Sequence, residues 1–189
     1  MATSTVRPRT VALAAAGLLL LGVLAPERAT AGQTQQGSAS ARSREAADRI
    51  QRIEDRAEIE QLLLNYGRHL DARDFKAYSQ LFARDGVWQG GMGTVQGPAA
   101  IQAFMEKAIS GPNTAHNYHL LSNFVIDVQG DTATAWSRWQ FVAPGPDGRP
   151  VVAQAGRYDD ELVREDGRWK FKRRIAANDL PLPRQAPQK

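Results

Sequence analysis

The chain has 189 residues, room for one domain with a real core but not for two comfortable ones, and it has no cysteine. That excludes a disulfide framework, a thiolate nucleophile and a lipid-bearing cysteine. A formal charge of +4 and a pI near 9.7 raise the question of nucleic acid, but the basic residues are interleaved with acids and no Lys/Arg block or aromatic-basic motif occurs, so no nucleic-acid partner is expected.

Residues 1–31 differ from the rest. Arg7 and Arg9 precede an apolar run from Val11 to Leu24, and Ala29-Thr30-Ala31 offers small residues for cleavage before Gly32. This is the pattern of a secretory signal peptide; the run is shorter than the ~20 apolar residues that span a bilayer. The mature protein is therefore expected to be exported, periplasmic or secreted, with no stable membrane anchor. Removing residues 1–31 takes away three arginines and one glutamate, lowering the formal charge from +4 to +2.

Residues 32–42 (GQTQQGSASAR) hold nothing more apolar than alanine and read as a disordered tether. The domain proper is expected over 43–179. It opens with one long amphipathic helix, on which Ala47, Ile50, Ile53, Ala57 and then Leu62, Leu63 and Leu64 recur at three- and four-residue steps until near His69. Asp74 is placed to cap a short second helix carrying Phe75, Tyr78, Leu81 and Phe82. Gly97-Pro98 opens a third, with proline where its missing N–H is harmless. Between these helices, 86–97 (GVWQGGMGTVQG) reads as a small strand pair around a glycine-rich turn, suited to a pocket rim.

From Tyr118 the period changes to two. Strands are expected near 118–128, 132–143, 151–165 and 168–176, joined by short hairpins, so the sheet is expected to be antiparallel. The Pro- and Gln-rich tail, 180–189, is expected to fray. The fold class is α+β: a curved antiparallel sheet packed on three N-terminal helices, with a hollow between the layers for a small ligand.

Asp71 lies where the long helix gives out and either orients a base or merely caps a turn. Tyr66 lies on the same helix, about 140° around the axis, and by itself reads as core-lining. His119 stands on a strand whose strict alternation puts Leu121, Asn123, Val125 and Asp127 on its face, so it is a half-buried base or a hydrogen-bonded core histidine. His116 and His119, three apart on a strand, point to opposite faces, and neither a HExxH helix nor a cysteine pair supports a metal. No serine elbow and no phosphate loop occur. Cofactor-free proton transfer is what remains.

Several motifs together resemble the SnoaL-like, or nuclear-transport-factor-2-like, superfamily over about residues 45–178. They are Glu58-Ile59-Glu60-Gln61-Leu62-Leu63, Tyr66, Leu70-Asp71, Leu81-Phe82 with Asp85-Gly86, His119 with Asn123, Gly130-Asp131-Thr132-Ala133, Gly156-Arg157-Tyr158, and Asp166-Gly167-Arg168-Trp169-Lys170-Phe171. The resemblance implies a cone-shaped fold and, by similarity to scytalone dehydratase, bile acid 7α-dehydratase and hexachlorocyclohexane dehydrochlorinase, an elimination driven by an aspartate-histidine pair. Asp71 and His119 match that pair. Tyr66 matches a pocket tyrosine, Trp88 a pocket tryptophan and Arg174 a pocket arginine, although alternation from Trp169 sends Arg174 to the other face unless a bulge intervenes.

The second acid of the bile acid enzyme has no counterpart near Gln140 to Val142, which argues against a steroid. Asn123 and Tyr158 complete the expected substrate-binding set, with no cofactor and no metal. The ligand is a small, cyclic or aromatic molecule, and a homo-oligomer, dimer or trimer, is implied. The same pair also suits an isomerase or a retro-aldol lyase, and the fold equally serves non-catalytic ligand holders.

Overall fold

The computed structural model describes residues 28–110 and 116–181, with side-chain surroundings from Ala39 onward. The expected signal segment therefore falls almost wholly outside the described residues, as does the tail beyond Pro181. Three helices, α1 (Arg28–Asp71), α2 (Phe75–Ser79) and α3 (Pro98–Ala108), accompany six strands: β1 (Phe82–Gly90), β2 (Gly93–Gln96), β3 (Tyr118–Gln129), β4 (Thr132–Pro144), β5 (Pro150–Glu165) and β6 (Arg168–Leu180). The chain divides into one unit ending at Ser43 and a second from Arg44 onward, and the sheet, α2, α3 and the cavity belong to the second.

Two expectations about α1 are corrected. Residues 32–42 are helical rather than an irregular tether. Alanine, glutamine, serine and arginine tolerate a helix, and only Gly32 and Gly37 oppose it, at about 1 kcal/mol each. Nor does the apolar stripe run the whole length of the helix: Ile50 and Ile53 are 57% and 69% exposed. The buried face starts at Asp55 and continues through Ile59, Leu62, Leu63 and Tyr66, the three- and four-residue steps of a single helical stripe. Each large apolar side chain so buried contributes about 1.5–3 kcal/mol.

Asp55 pins this stripe to the sheet. It accepts hydrogen bonds from Gln51 at 3.0 Å, from the indole of Trp169 at 3.4 Å and from Arg164, whose guanidinium stacks on Trp169 and also reaches Asp131 at 3.1 Å. Burial pushes the Asp55 carboxyl up, but the donors from Arg164, Gln51 and Trp169 together outweigh it and hold the group below the usual carboxylate range. A carboxyl whose folded value is depressed contributes stability that is present above its unfolded value of about 3.9 and is lost as pH falls through the folded value. Melting temperature should therefore drop steeply below about pH 4. Asp55→Asn should be less stable at neutral pH and show a flatter acid limb; parallel limbs would exclude Asp55 as a source of acid lability.

The strand order is β2-β1-β6-β5-β4-β3. All neighbours are antiparallel except β1 and β6, which run parallel, with Trp88 opposite Arg174. The sheet is thus mixed rather than wholly antiparallel, because the first strand pairs with the last and alternation within either says nothing of its neighbour. The Asp74 cap, which accepts from the Ala77 N–H at 3.0 Å, and Pro98 at the start of α3 stand as expected, but the second helix is shorter than expected: it ends at Ser79, Leu81 lies in the turn that follows and Phe82 begins β1.

Bulges set which side chains face inward. On β3, Asn123 and Phe124 together oppose the single Ser137 of β4, and Asn123 has φ 56°, which asparagine tolerates better than most residues. Below the bulge the inward set is His119 and Leu121; beyond it, Phe124, Ile126 and Val128 pack inward. On β6, Lys172 is the extra residue between Phe171 and Arg173, and this turns Arg174 to the inner face.

Candidate functional site

The end of α1 builds one wall. The Asp74 N–H donates to the His69 carbonyl at 2.9 Å and the Arg73 N–H to the Leu70 carbonyl at 3.1 Å, a helix-terminating turn whose left-handed residue is Arg73, φ 56°. Glycine usually holds that place; an L-residue there costs about 1 kcal/mol. The turn leaves Asp71 on the last helical position, against the start of β3.

Asp71 grips His119 at two points. Its Oδ2 accepts the His119 backbone N–H at 2.8 Å, and its Oδ1 lies 2.6 Å from Nδ1. A carboxylate can only accept, so Nδ1 carries a proton, and in the neutral imidazole Nε2 is then the nitrogen with the free lone pair. Nε2 has no partner among the described residues, and His119 lines a cavity of about 530 Å³. Phe141 and Trp139 flank the imidazole, with ring centroids 5.0 and 6.1 Å away.

The buried part of the cavity wall is aromatic: Tyr66, Trp88, Trp139 and Tyr158, all nearly inaccessible. The Trp88 indole donates to Tyr66 Oη at 3.0 Å, leaving the Tyr66 hydrogen to be given elsewhere. Burial pushes the Tyr158 phenol well above its usual range, with Tyr66 adding to this and Arg174 opposing it, so Tyr158 stays a neutral O–H donor at any working pH. Exposed Met92, Gln154 and Asn178 lie at the mouth. A cavity of this size, largely apolar with a few convergent polar groups, suits one small ring-bearing molecule.

Tyr66, Asp71, Trp88, His119 and Tyr158 are therefore brought together. Two expected site residues are not. Asn123 sits on the β3 bulge, exposed and away from the cavity, because the extra residue breaks the alternation that placed it beside His119. Arg174 turns inward but does not line the cavity: it is 0% exposed and bonded through Nε and Nη2 to Asp160 at 2.7 and 2.6 Å. Its Cζ lies 4.0 Å from the Tyr66 ring and 4.1 Å from those of Tyr158 and Phe171, so it supports the aromatic wall from behind. Arg73, Asn117 and Gln154 line the cavity and were missed. For Arg73 the signal was an arginine where a helix-ending glycine is usual. Among the described residues no cluster of three or more histidines and carboxylates stands close enough to hold a metal ion.

A family model for the SnoaL-like domain matches residues 51–175. Uncharacterised proteins of Mycobacterium tuberculosis and Mycobacterium bovis are 29% identical over 133 residues, covering 67% of this chain and 86% of theirs. An NTF2-like protein with a cystatin-like fold from Novosphingobium aromaticivorans superposes with a TM-score of 0.65 at 28% identity, over 72% of this chain and 89% of that one. ActVI-ORFA of Streptomyces coelicolor does so with a TM-score of 0.59 at 23% identity, over 65% and 96%, a likeness of fold alone.

Proposed function

We propose, for a chain that belongs to the SnoaL-like domain family, that the cavity is the active site of a cofactor-free lyase of dehydratase type acting on a small cyclic or aromatic molecule. The family includes small-molecule binders and cofactor-free catalysts. The observation that carries the reading is the two-point contact between Asp71 and His119, which leaves Nε2 as a base on an apolar cavity. His119 takes a carbon-bound proton and the electron pair forms the double bond as the hydroxyl departs. Asp71 stabilises the imidazolium meanwhile. The imidazolium then returns its proton to the departing hydroxide, so the products are an alkene and water and the base is regenerated. The Tyr66 and Tyr158 hydroxyls supply donors for the departing oxygen.

The test uses a flat carbon acid that asks only for a positioned base. Ring opening of 5-nitrobenzisoxazole, followed by absorbance, should be accelerated by the protein and not by His119→Ala. Equal rates would leave a ligand-holding module. With a cyclic β-hydroxy ketone in D2O, an alkene product supports elimination, whereas deuterium incorporated without loss of water marks an isomerase and release of an aldehyde a retro-aldol lyase.

The reading has the protein working after export and as a homo-oligomer. The motive for export is the pairing of Arg7 and Arg9 with the apolar run up to Leu24. Mass spectrometry of the protein from its host should find Gly32 at the N-terminus; an intact Met1 would sink the export claim.

A further inference from the structure

We infer that Arg73 is an anion-binding residue of this cavity and that the natural ligand carries a carboxylate on its ring system. This deepens the reading of the cavity as a ligand site and rests on it. Among the cavity's described lining residues Arg73 is the one arginine or lysine. It has no carboxylate partner: its side-chain bond runs from Nη1 to the Ile109 carbonyl at 2.5 Å, and its Nε is buried with no acceptor. Arg138, Arg157, Arg164 and Arg174 each reach a carboxylate, whereas Arg73, like Arg56 and Arg173, bonds only a neutral oxygen, and of these three it is the one on the cavity wall with a buried, unpartnered N–H. A buried guanidinium N–H without an acceptor is destabilising unless something the chain does not supply accepts from it.

The backbone points the same way. Arg73 occupies the left-handed position of the turn that ends α1, where glycine would be free of strain and asparagine nearly so. Strained positions of this kind cluster at ligand sites, and here both the strain and the orphaned donor belong to one residue on the cavity wall. The Ile109 carbonyl holds one end of the planar guanidinium. A carboxylate entering beside it would gain a charge-assisted hydrogen bond, and the anion's proximity to the ionised Asp71 makes that cation necessary.

Two probes of matched shape test this, 2-naphthoate and 2-naphthylmethanol, titrated into the intact protein by calorimetry. The wild-type protein should bind the acid at least about tenfold more tightly than the alcohol. Arg73→Gly and Arg73→Asn should weaken the acid by about 10- to 100-fold and leave the alcohol within about twofold. Each variant relieves the left-handed strain but gives up the bond to the Ile109 carbonyl, so melting curves are read alongside to show that both remain folded. Equal binding of acid and alcohol, binding of neither, or an unchanged affinity for the acid in both variants would overturn the assignment. His119→Ala should retain the preference for the acid, so loss of proton transfer with this preference intact would discredit the lyase reading alone.

Discussion

His119→Ala should slow the ring opening of 5-nitrobenzisoxazole by about 10²- to 10⁴-fold, the range a positioned base supplies. Asp71→Asn should cost nearly as much, for a reason contained in the geometry. Asp71 offers two acceptor oxygens, one to the His119 backbone N–H and one to Nδ1. An asparagine has only one. With its oxygen on the backbone N–H, its NH2 faces Nδ1, which must then accept, so the proton moves to Nε2 and the base becomes a donor. With the amide turned the other way, two N–H groups collide and the strand is pushed off the helix end. Because the two residues act as one unit, the double variant should be hardly slower than the worse single one. Independent, additive losses would mean that Asp71 serves the cavity in some other way, and a wild-type rate in either single variant would dispose of the dyad. Melting curves alongside keep a folding defect from passing for a chemical one.

Much of this architecture is legible from spacing alone. The Ile59, Leu62, Leu63 and Tyr66 stripe has helical steps, and the two-residue alternation from Tyr118 marks the long strands. Asp71 and His119 could be paired in advance only because a family resemblance added long-range information that spacing lacks. What stayed hidden is non-local or breaks a period. The parallel partnership of β1 with β6 joins segments some ninety residues apart. The β3 bulge removes Asn123 from the inner face, yet it leaves a trace: apolar Leu121 is followed inward by Phe124, a step of three in a strand. The same step, from Phe171 to Arg174, marks the β6 bulge. Asp160, within the acidic run Asp159-Asp160-Glu161, looks like solvent-facing charge, and only its place between the inward Tyr158 and Leu162 betrays burial.

Asp160→Ala should destabilise the protein by about 3–5 kcal/mol, the cost of leaving a buried charge without its partner. Burial pushes the Asp160 carboxyl above its usual range and Arg174 only partly opposes this. Burial also works against the charge on Arg174 and Asp160 more than reverses it; without Asp160 the guanidinium is still too basic to give up its proton at neutral pH, so a buried cation is left behind. It is enclosed by Tyr66, Tyr158 and Phe171 and has no route to water. Against a total stability of about 5–15 kcal/mol, that loss is a large fraction. Replacing both members by apolar side chains of similar bulk, Asp160→Leu with Arg174→Met, removes the stranded charge and keeps the rings apart, so the double variant should recover most of the loss. Urea unfolding of the two single variants and the double measures this coupling. A single-variant cost below about 1 kcal/mol would mean that the three rings alone accommodate the cation, and that the aromatic wall of the cavity does not depend on the ion pair behind it.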